Sequence, residues 1–196
     1  PRHAIEAGIS YLSEDRKGSG VVLSMSGYEN VLMSAMPRIF PSGFINWKKV
    51  RSVAEEIATR MRFRGQLSND TSTYSGGNQQ KIAIGKLILS GADLLILDEP
   101  SLGLAPKIVE SIFEVVVGLR KENMSILLVE QNAQLALSVS DYGYVMENGR
   151  IVFDGQSDQL LRSPEIQEFY LGMKAGADRK SLRDVKHYKR RKRWLS

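Results

Sequence analysis

One stretch, residues 74–99, constrains the fold most, because it places a glycine-rich turn, one helix and an apolar run in immediate succession. Ser75-Gly76-Gly77 predicts a turn whose backbone N–H groups are open to an anion, with a helix beginning just after it. That helix is predicted from Gln79 to Leu89, before Ser90-Gly91. Leu94 to Leu97 is wholly apolar, which is typical of a strand buried on both faces of a parallel sheet.

Two acidic residues follow this strand directly. Asp98 and Glu99 are expected at the carboxyl end of the strand, where open α/β sheets bind their ligands. One carboxylate can hold magnesium through water, and its neighbour can orient or deprotonate an attacking water. Taken alone, a Ser-Gly-Gly turn is usually only a turn, and an apolar run that ends in acids is often a strand that meets solvent. Together, one helix apart, the two elements predict a site for phosphate chemistry.

This pairing resembles the ABC-type ATPases. Tyr74 to Asn78 stands where their signature LSGGQ stands, and Leu94 to Pro100 matches their Walker B strand. The resemblance implies that Asp98 aids Mg²⁺ binding and that Glu99 is the catalytic base of ATP hydrolysis. It also implies that nucleotide held by a partner subunit binds at the signature, where the candidate residues are Tyr74, Ser75, Gly76, Gly77, Asn78 and Gln79.

Two further loops extend the resemblance. Ser13 to Gly18 follows a predicted strand, Ile9 to Leu12, and lies where ABC ATPases have the Q-loop, with Glu14 at the Gln position. Gln131 follows a second predicted buried strand, Ser125 to Val129, at the position of the switch-loop histidine. The resemblance implies that Glu14 and Gln131 lie near the γ-phosphate, with Glu14 also near the metal. Because Gln carries no charge and shuttles no proton, we expect a site with reduced activity.

The alternation of strands and helices predicts a mostly parallel α/β sheet. The resemblance implies the P-loop NTPase-like fold of ABC ATPases, with a helical sub-domain at about residues 26–73 and the amino-terminal strands missing. In the sub-domain, Tyr28 to Met36 predicts one helix, and Pro37, Pro41, Ser42 and Gly43 separate it from the next. Asn46 is expected to cap the second helix, whose apolar face is Val50, Val53, Ala54, Ile57 and Met61.

The carboxyl-terminal part carries shorter signals. A helix is predicted from Ile108 to Leu119, after a turn at Ser101 to Pro106. Asn148-Gly149 predicts a hairpin turn, the strongest short signal of that kind. Two short helices are expected, Asp158 to Leu161 and Pro164 to Leu171.

The transported solute stays open between two classes. The loop sequence YLSEDRK resembles sugar importers, in which Glu stands at the Q-loop position. The run SLGLAPKIV resembles branched-chain amino-acid importers, as do Gln131 and Ala105, which stands where the D-loop usually ends in Asp.

Composition narrows the function classes. The 196 residues include 42% hydrophobic ones, with no apolar run of about 18 residues and no signal-peptide pattern, so we expect a location in the cytoplasm. The resemblance to ABC importers implies the cytoplasmic face of the membrane. There is no cysteine, and His3 and His187 form no ligand pair, which argues against a zinc enzyme. Residues 174–196 carry ten Lys/Arg and two Asp, a charge of +8. Because the whole chain has a net charge of +5, residues 1–173 carry −3.

The basic tail, residues 174–196, is therefore separate from the predicted ABC domain, residues 1–173. A solvated tail is the expectation for so polar a composition, and attachment to anionic lipid is the sharper alternative. Because residues 1–173 carry a net negative charge, their composition does not favour nucleic-acid binding.

No match to G-x-x-x-x-G-K-[S/T] occurs in these residues, so we expect the sequence to begin partway through an ABC domain. The resemblance implies an ATP- and Mg²⁺-dependent importer subunit that pairs with a second ABC ATPase subunit, as a homodimer or heterodimer. It also implies transmembrane permease subunits and, indirectly, a solute-binding protein. Two alternatives stay open: a truncated, non-catalytic interaction module, and a soluble ABC protein that acts on nucleic acid through its tail.

The isolated 196-residue chain is expected to bind Mg-ATP no more tightly than about millimolar, near −4 kcal/mol, and to hydrolyse none. The reason is that the Walker A loop supplies most phosphate contacts in this family. Calorimetric titration with Mg-ATP, beside a phosphate-release assay, measures both quantities. Micromolar binding with turnover that Asp98→Asn abolishes would contradict the expectation.

Overall fold

A three-stranded parallel sheet forms the centre of the computed structural model, which describes residues 2–122 and 124–169. Its strands are β1 (Ile9–Leu12), β2 (Leu94–Asp98) and β3 (Ser125–Val129), in the order β1-β2-β3. β2 pairs with both neighbours, with Leu97 opposite Leu12 on one side and Asp98 opposite Val129 on the other. The three strands and their parallel arrangement confirm the sequence prediction.

Helices connect and cover these strands. In chain order they are α1 (Arg2–Glu6), α2 (Gly27–Leu32), α3 (Met36–Ile39), α4 (Trp47–Arg60), α5 (Gly76–Ser90), α6 (Pro106–Lys121), α7 (Ala133–Val139), α8 (Ser157–Arg162) and α9 (Pro164–Phe169). A π-helical turn spans Arg16–Gly20, and a 3-10 turn spans Thr71–Thr73. Searched across the described ranges, the chain has no helix that is long and apolar enough to cross a membrane.

The two faces of the sheet differ in burial. Alternate strand residues point to opposite faces, and Leu12, Leu95 and Leu97 share one core with α5 and α6. On the other face Leu127 is 48% exposed and Val129 is 44% exposed. The prediction that β3 is buried on both faces is therefore wrong, because α5 and α6 pack against the face that carries Leu95 and Leu97.

The segment predicted to form a helical sub-domain, about residues 26–73, differs from the prediction in one place. Tyr28 to Met36 is not one helix, because α2 ends at Leu32 and α3 begins at Met36. Ser26 and Glu29 form a reciprocal capping box that starts α2. Pro37 does not separate the helices as predicted but lies in the first turn of α3, where a helix needs no N–H donor.

The second sub-domain helix, α4, follows the prediction. The Asn46 side chain accepts hydrogen bonds from the backbone N–H groups of Lys48 and Lys49 and so caps its amino terminus. Four of the predicted apolar residues are buried and Val53 is half-buried; the buried set is Val50, Ala54, Ile57 and Met61. The spacing of apolar residues therefore identified the buried face of this helix.

α5 is the central helix and packs against α2, α4 and β1. Its predicted start at Gln79 is wrong: the helix already begins at Gly76, because the Ser75 hydroxyl accepts from the Asn78 N–H and caps it there. Its predicted end is confirmed by Gly91, whose φ of +77° is the left-handed conformation that terminates helices.

The carboxyl-terminal elements confirm their local signals. β4 (Tyr142–Glu147) and β5 (Arg150–Gln156) pair antiparallel. Asn148 and Gly149 both have positive φ, 49° and 73°, as a two-residue type I′ turn requires. The two short helices are α8 and α9; the predicted end of the second at Leu171 and the tail, residues 174–196, lie outside the described residues.

Asn30 is a buried polar residue of α2 that connects segments on either side of this helix. It is 0% exposed, and its Oδ1 accepts from the Val22 N–H at 2.7 Å. Its Nδ2 donates to the Val22 carbonyl at 2.9 Å and to Thr71 Oγ1 at 3.0 Å. One buried side chain therefore joins the backbone before α2 to the 3-10 turn Thr71–Thr73.

We expect Asn30→Ala to lower the free energy of unfolding by about 3 kcal/mol, because the Val22 backbone groups and the buried Thr71 hydroxyl lose their partner at once. Asn69→Ala is the matched control, since Asn69 is exposed and its side chain makes no hydrogen bond within the described residues. Urea denaturation of both variants measures the difference. Equal stability of the two variants would contradict a structural role for Asn30.

Candidate functional site

The acidic pair lies at the carboxyl edge of the sheet, as predicted. Asp98 ends β2, and the Glu99 N–H donates to the Val129 carbonyl of β3 at 2.9 Å. Glu99 has φ of +46°, a left-handed conformation that is uncommon for residues other than glycine. Such backbone strain costs about 1–3 kcal/mol and clusters at functional sites. The backbone is thus bent sharply where the second carboxylate leaves the sheet.

Tyr11 joins this edge, although the sequence analysis did not identify it. Its hydroxyl donates to Asp98 Oδ2 at 2.8 Å. This hydrogen bond, with partial burial and the nearby charges of Asp98 and Glu14 as smaller causes, raises the pKa of the Tyr11 hydroxyl above its ordinary value. The predicted residue Glu14 lies three residues further along the chain, just beyond β1. The missed signal is the alternation in β1, which puts Tyr11 on the same sheet face as Asp98.

The Q-loop segment is ordered by its own side chains. Asp15 Oδ1 accepts from the Gly18 N–H at 2.9 Å, so the predicted charged loop becomes the π-helical turn Arg16–Gly20. Lys86 of α5 donates to the Gly20 carbonyl, and burial lowers the pKa of this lysine. The Arg16 guanidinium lies against Gly76, with Nη2 3.2 Å from the position that a Cβ would occupy. The turn is therefore held against the signature helix.

The signature residues form the first turn of α5. Ser75 is exposed and caps the helix, while Gly77 is buried against α6. A Cβ on Gly77 would lie 2.6 Å from Ile108 Cγ2, which explains why glycine is needed at this close approach. The free N–H groups and the dipole of this 15-residue helix favour an anion at its amino terminus.

Three other predicted binding residues turn their side chains inward. The Tyr74 hydroxyl donates to the carbonyls of Gln66 and Asn69 at 2.7 and 2.9 Å. Asn78 exchanges hydrogen bonds with the Arg64 backbone. Gln79 is buried and donates to the Thr71 carbonyl at 3.1 Å. These side chains build the turn, so Ser75 and the first backbone N–H groups are what it presents to a ligand.

A second pair of residues that sequence reasoning missed connects β3 with the turn after Glu99. Ser101 donates its N–H to Glu130 Oε1 at 3.0 Å and its hydroxyl to Oε2 at 2.8 Å. Burial raises the pKa of Glu130, the Ser101 hydrogen bonds oppose this, and the charge of Glu99 adds to it. Gln131 follows with an exposed side chain. The sequence feature that could have identified the Ser101–Glu130 pair is the position of Glu130 directly after a predicted strand.

The residues present at the end of β2 fit a magnesium ion. Within the described ranges, no group of three or more His, Cys, Asp or Glu residues could hold a metal ion. Mg²⁺ differs in that it is usually bound by one or two carboxylates plus substrate phosphates and water. Asp98 and the adjacent Glu99, at the end of β2, match that donor set.

Comparison with known families assigns the chain. Residues 1–102 match the model of the ABC transporter family. The chain belongs to this family. The ABC assignment covers the Q-loop, the signature and the Walker B strand, and it confirms the resemblance drawn from these motifs.

Curated ABC proteins reproduce the mixed resemblance. The chain is 48% identical over 111 residues to the high-affinity branched-chain amino acid transport ATP-binding protein BraG of Pseudomonas aeruginosa, which covers 57% of this chain and 48% of that protein. It is 37% identical over 153 residues to the ribose import ATP-binding protein RbsA of Caldanaerobacter subterraneus, covering 77% of this chain and 31% of that protein. The chain thus matches about half the length of the first relative and about a third of the second.

Solved structures confirm the fold. A nucleotide-free ATP-binding cassette from an ABC transporter superposes with a TM-score of 0.68 at 21% identity, covering 87% of this chain and 71% of that one. A post-hydrolysis dimer of the cassette MJ0796, bound to ADP and Pi, gives a TM-score of 0.64 at 19% identity, covering 76% and 62%. The predicted α/β architecture of an ABC ATPase is therefore correct.

The Ser101–Glu130 contact yields a pH-dependent expectation. The raised pKa means that folded Glu130 binds a proton more tightly than in the unfolded chain. Its stabilising contribution is present below the ordinary pKa of 4.5 and is lost as the pH rises through the raised value. The stability advantage of the wild type over Glu130→Gln should therefore grow as the pH falls from neutral toward 4.5.

Urea denaturation across this pH range measures that difference. Ser101→Ala is the matched variant, because it removes the hydroxyl donor, the larger of the two hydrogen bonds that oppose the shift, and should enlarge the pH dependence. Parallel stability curves for the wild type and Glu130→Gln would rule out Glu130 as the titrating group.

Proposed function

We propose that this chain is part of the ATP-binding and ATP-hydrolysing subunit of an ABC importer. The observation that carries the proposal is the acidic pair at the sheet edge, with Asp98 ending the central strand and Glu99 held in a strained backbone conformation. An acid at each of these two positions suits metal binding and water activation within one site. Membership of the ABC family supplies the reaction class.

Each residue receives one role in this proposal. Asp98 holds Mg²⁺ through water, and Glu99 orients the attacking water and accepts its proton. Gln131, exposed beyond β3, donates a hydrogen bond to the γ-phosphate, and Glu14 follows β1, the strand on the other side of β2. Bound Mg²⁺ neutralises charge on the phosphates.

The signature turn serves a second nucleotide site. No hydrogen bond or ion pair within the described ranges joins Ser75, Gly76 or Gly77 to the acidic pair. We therefore assign Ser75 and the N–H groups of Gly76 and Gly77 to ATP held by a partner subunit, in a head-to-tail dimer. The dimeric cassette among the structural neighbours supports this arrangement.

The helical sub-domain is proposed to contact the permease. Phe44 is 85% exposed, and Ile45 and Trp47 beside it are exposed as well. An exposed group of large apolar residues suits a protein partner at the membrane. The proposed complex lies on the cytoplasmic face of the membrane and receives a sugar or a branched-chain amino acid from a solute-binding protein.

In the complete subunit that carries this chain, we expect Glu99→Gln to keep ATP binding and to lower the hydrolysis rate by about 10²–10⁴, or roughly 3–5.5 kcal/mol of barrier. The reason is that the amide keeps the size of the side chain but accepts no proton. Glu110→Gln, on the exposed side of α6, is the control. Hydrolysis by Glu99→Gln within about threefold of the wild-type rate would remove Glu99 from the role of base.

A further inference from the structure

Tyr11 and Asp98 form a diagonal pair across two parallel strands. Tyr11 lies opposite Ile96 in the register of β1 and β2, and Asp98 is two residues further along β2. Both side chains therefore point to the same face of the sheet, at a separation that an aromatic side chain can bridge. The hydroxyl does bridge it, with an Oη–Oδ2 distance of 2.8 Å.

This hydrogen bond engages only one of the two carboxylate oxygens of Asp98. Oδ2 accepts from Tyr11, and in the part of the chain that the structure describes no other hydrogen bond reaches the carboxylate. A carboxylate held by one oxygen has a defined orientation, and its second oxygen, Oδ1, remains available to a water of a hydrated metal ion. Hydrogen bonds of this kind orient metal-binding carboxylates and tune their affinity.

The surroundings of Tyr11 argue against a purely structural role. The residue is 55% exposed and belongs to neither of the two buried clusters in the described residues. A hydrogen bond so exposed to water contributes little to stability. Its most specific effect is on the orientation of Asp98, a residue that closes the central strand.

We propose that Tyr11 is a positioning residue for metal binding: its hydroxyl orients Asp98 so that Oδ1 faces the Mg²⁺ of Mg-ATP. The inference rests on the proposed function, in which Asp98 holds that ion. Because Tyr11 lies three residues before Glu14, the same hydroxyl also links the strand that leads into the Q-loop with the metal-binding carboxylate.

The test is Tyr11→Phe in the complete subunit, because this change removes only the hydroxyl. Binding of Mn²⁺ in the presence of a non-hydrolysable ATP analogue is followed by electron paramagnetic resonance, and the Mg²⁺ concentration for half-maximal ATPase activity is measured in parallel. We expect both metal affinities to fall about tenfold. Binding of metal-free ATP and the melting temperature should stay at wild-type values.

Tyr28→Phe is the matched control, since the Tyr28 hydroxyl also donates to a carboxylate, Glu55, in the helical sub-domain. An equal loss of metal affinity in Tyr28→Phe would overturn the assignment. Wild-type Mn²⁺ binding in Tyr11→Phe, while Asp98→Asn weakens it, would overturn the role of Tyr11 and leave the proposed function intact. Unchanged Mn²⁺ binding in Asp98→Asn would overturn the proposed role of Asp98, and the inference with it.

Discussion

The site depends on the pairing of β2 with a parallel strand on each side. Asp98 lies opposite Val129, and the Glu99 N–H continues the ladder to the Val129 carbonyl. Because strand side chains alternate, a slip of one residue would move Asp98 to the buried face and take it away from Tyr11. The position of both carboxylates is therefore a property of sheet register, and the apolar core on the other face of β2 holds that register.

Around this edge, contacts between distant segments hold the loops. Ser101 and Glu130 tie the turn after Glu99 to the segment that follows β3, next to Gln131. Lys86 and Arg16 hold the Q-loop turn against α5, whose first turn is the signature. The same helix thus contacts the turn that follows Glu14 and presents its own amino terminus to solvent. This arrangement is consistent with the proposal that the two surfaces serve different nucleotide sites.

Much of the local structure could be predicted from the sequence, because its causes are local. Asn46 caps α4 through N–H groups two and three residues away, and Asn148-Gly149 forms its turn through the backbone preferences of two neighbouring residues. The break between α2 and α3 was missed, since a proline that is tolerated in a first helical turn looks in sequence like a separator.

The sequence by itself determined the family, the parallel α/β pattern and the places of the acidic pair and the signature. Each of these depends on residues that lie close together along the chain. Tertiary structure alone decided which residues meet these motifs. Tyr11 reaches Asp98 across 87 positions and Ser101 reaches Glu130 across 29, and the exposure of β3 depends on which face the helices cover. The physical reason is that such contacts follow from strand register and packing, which link segments whose separation no local pattern encodes.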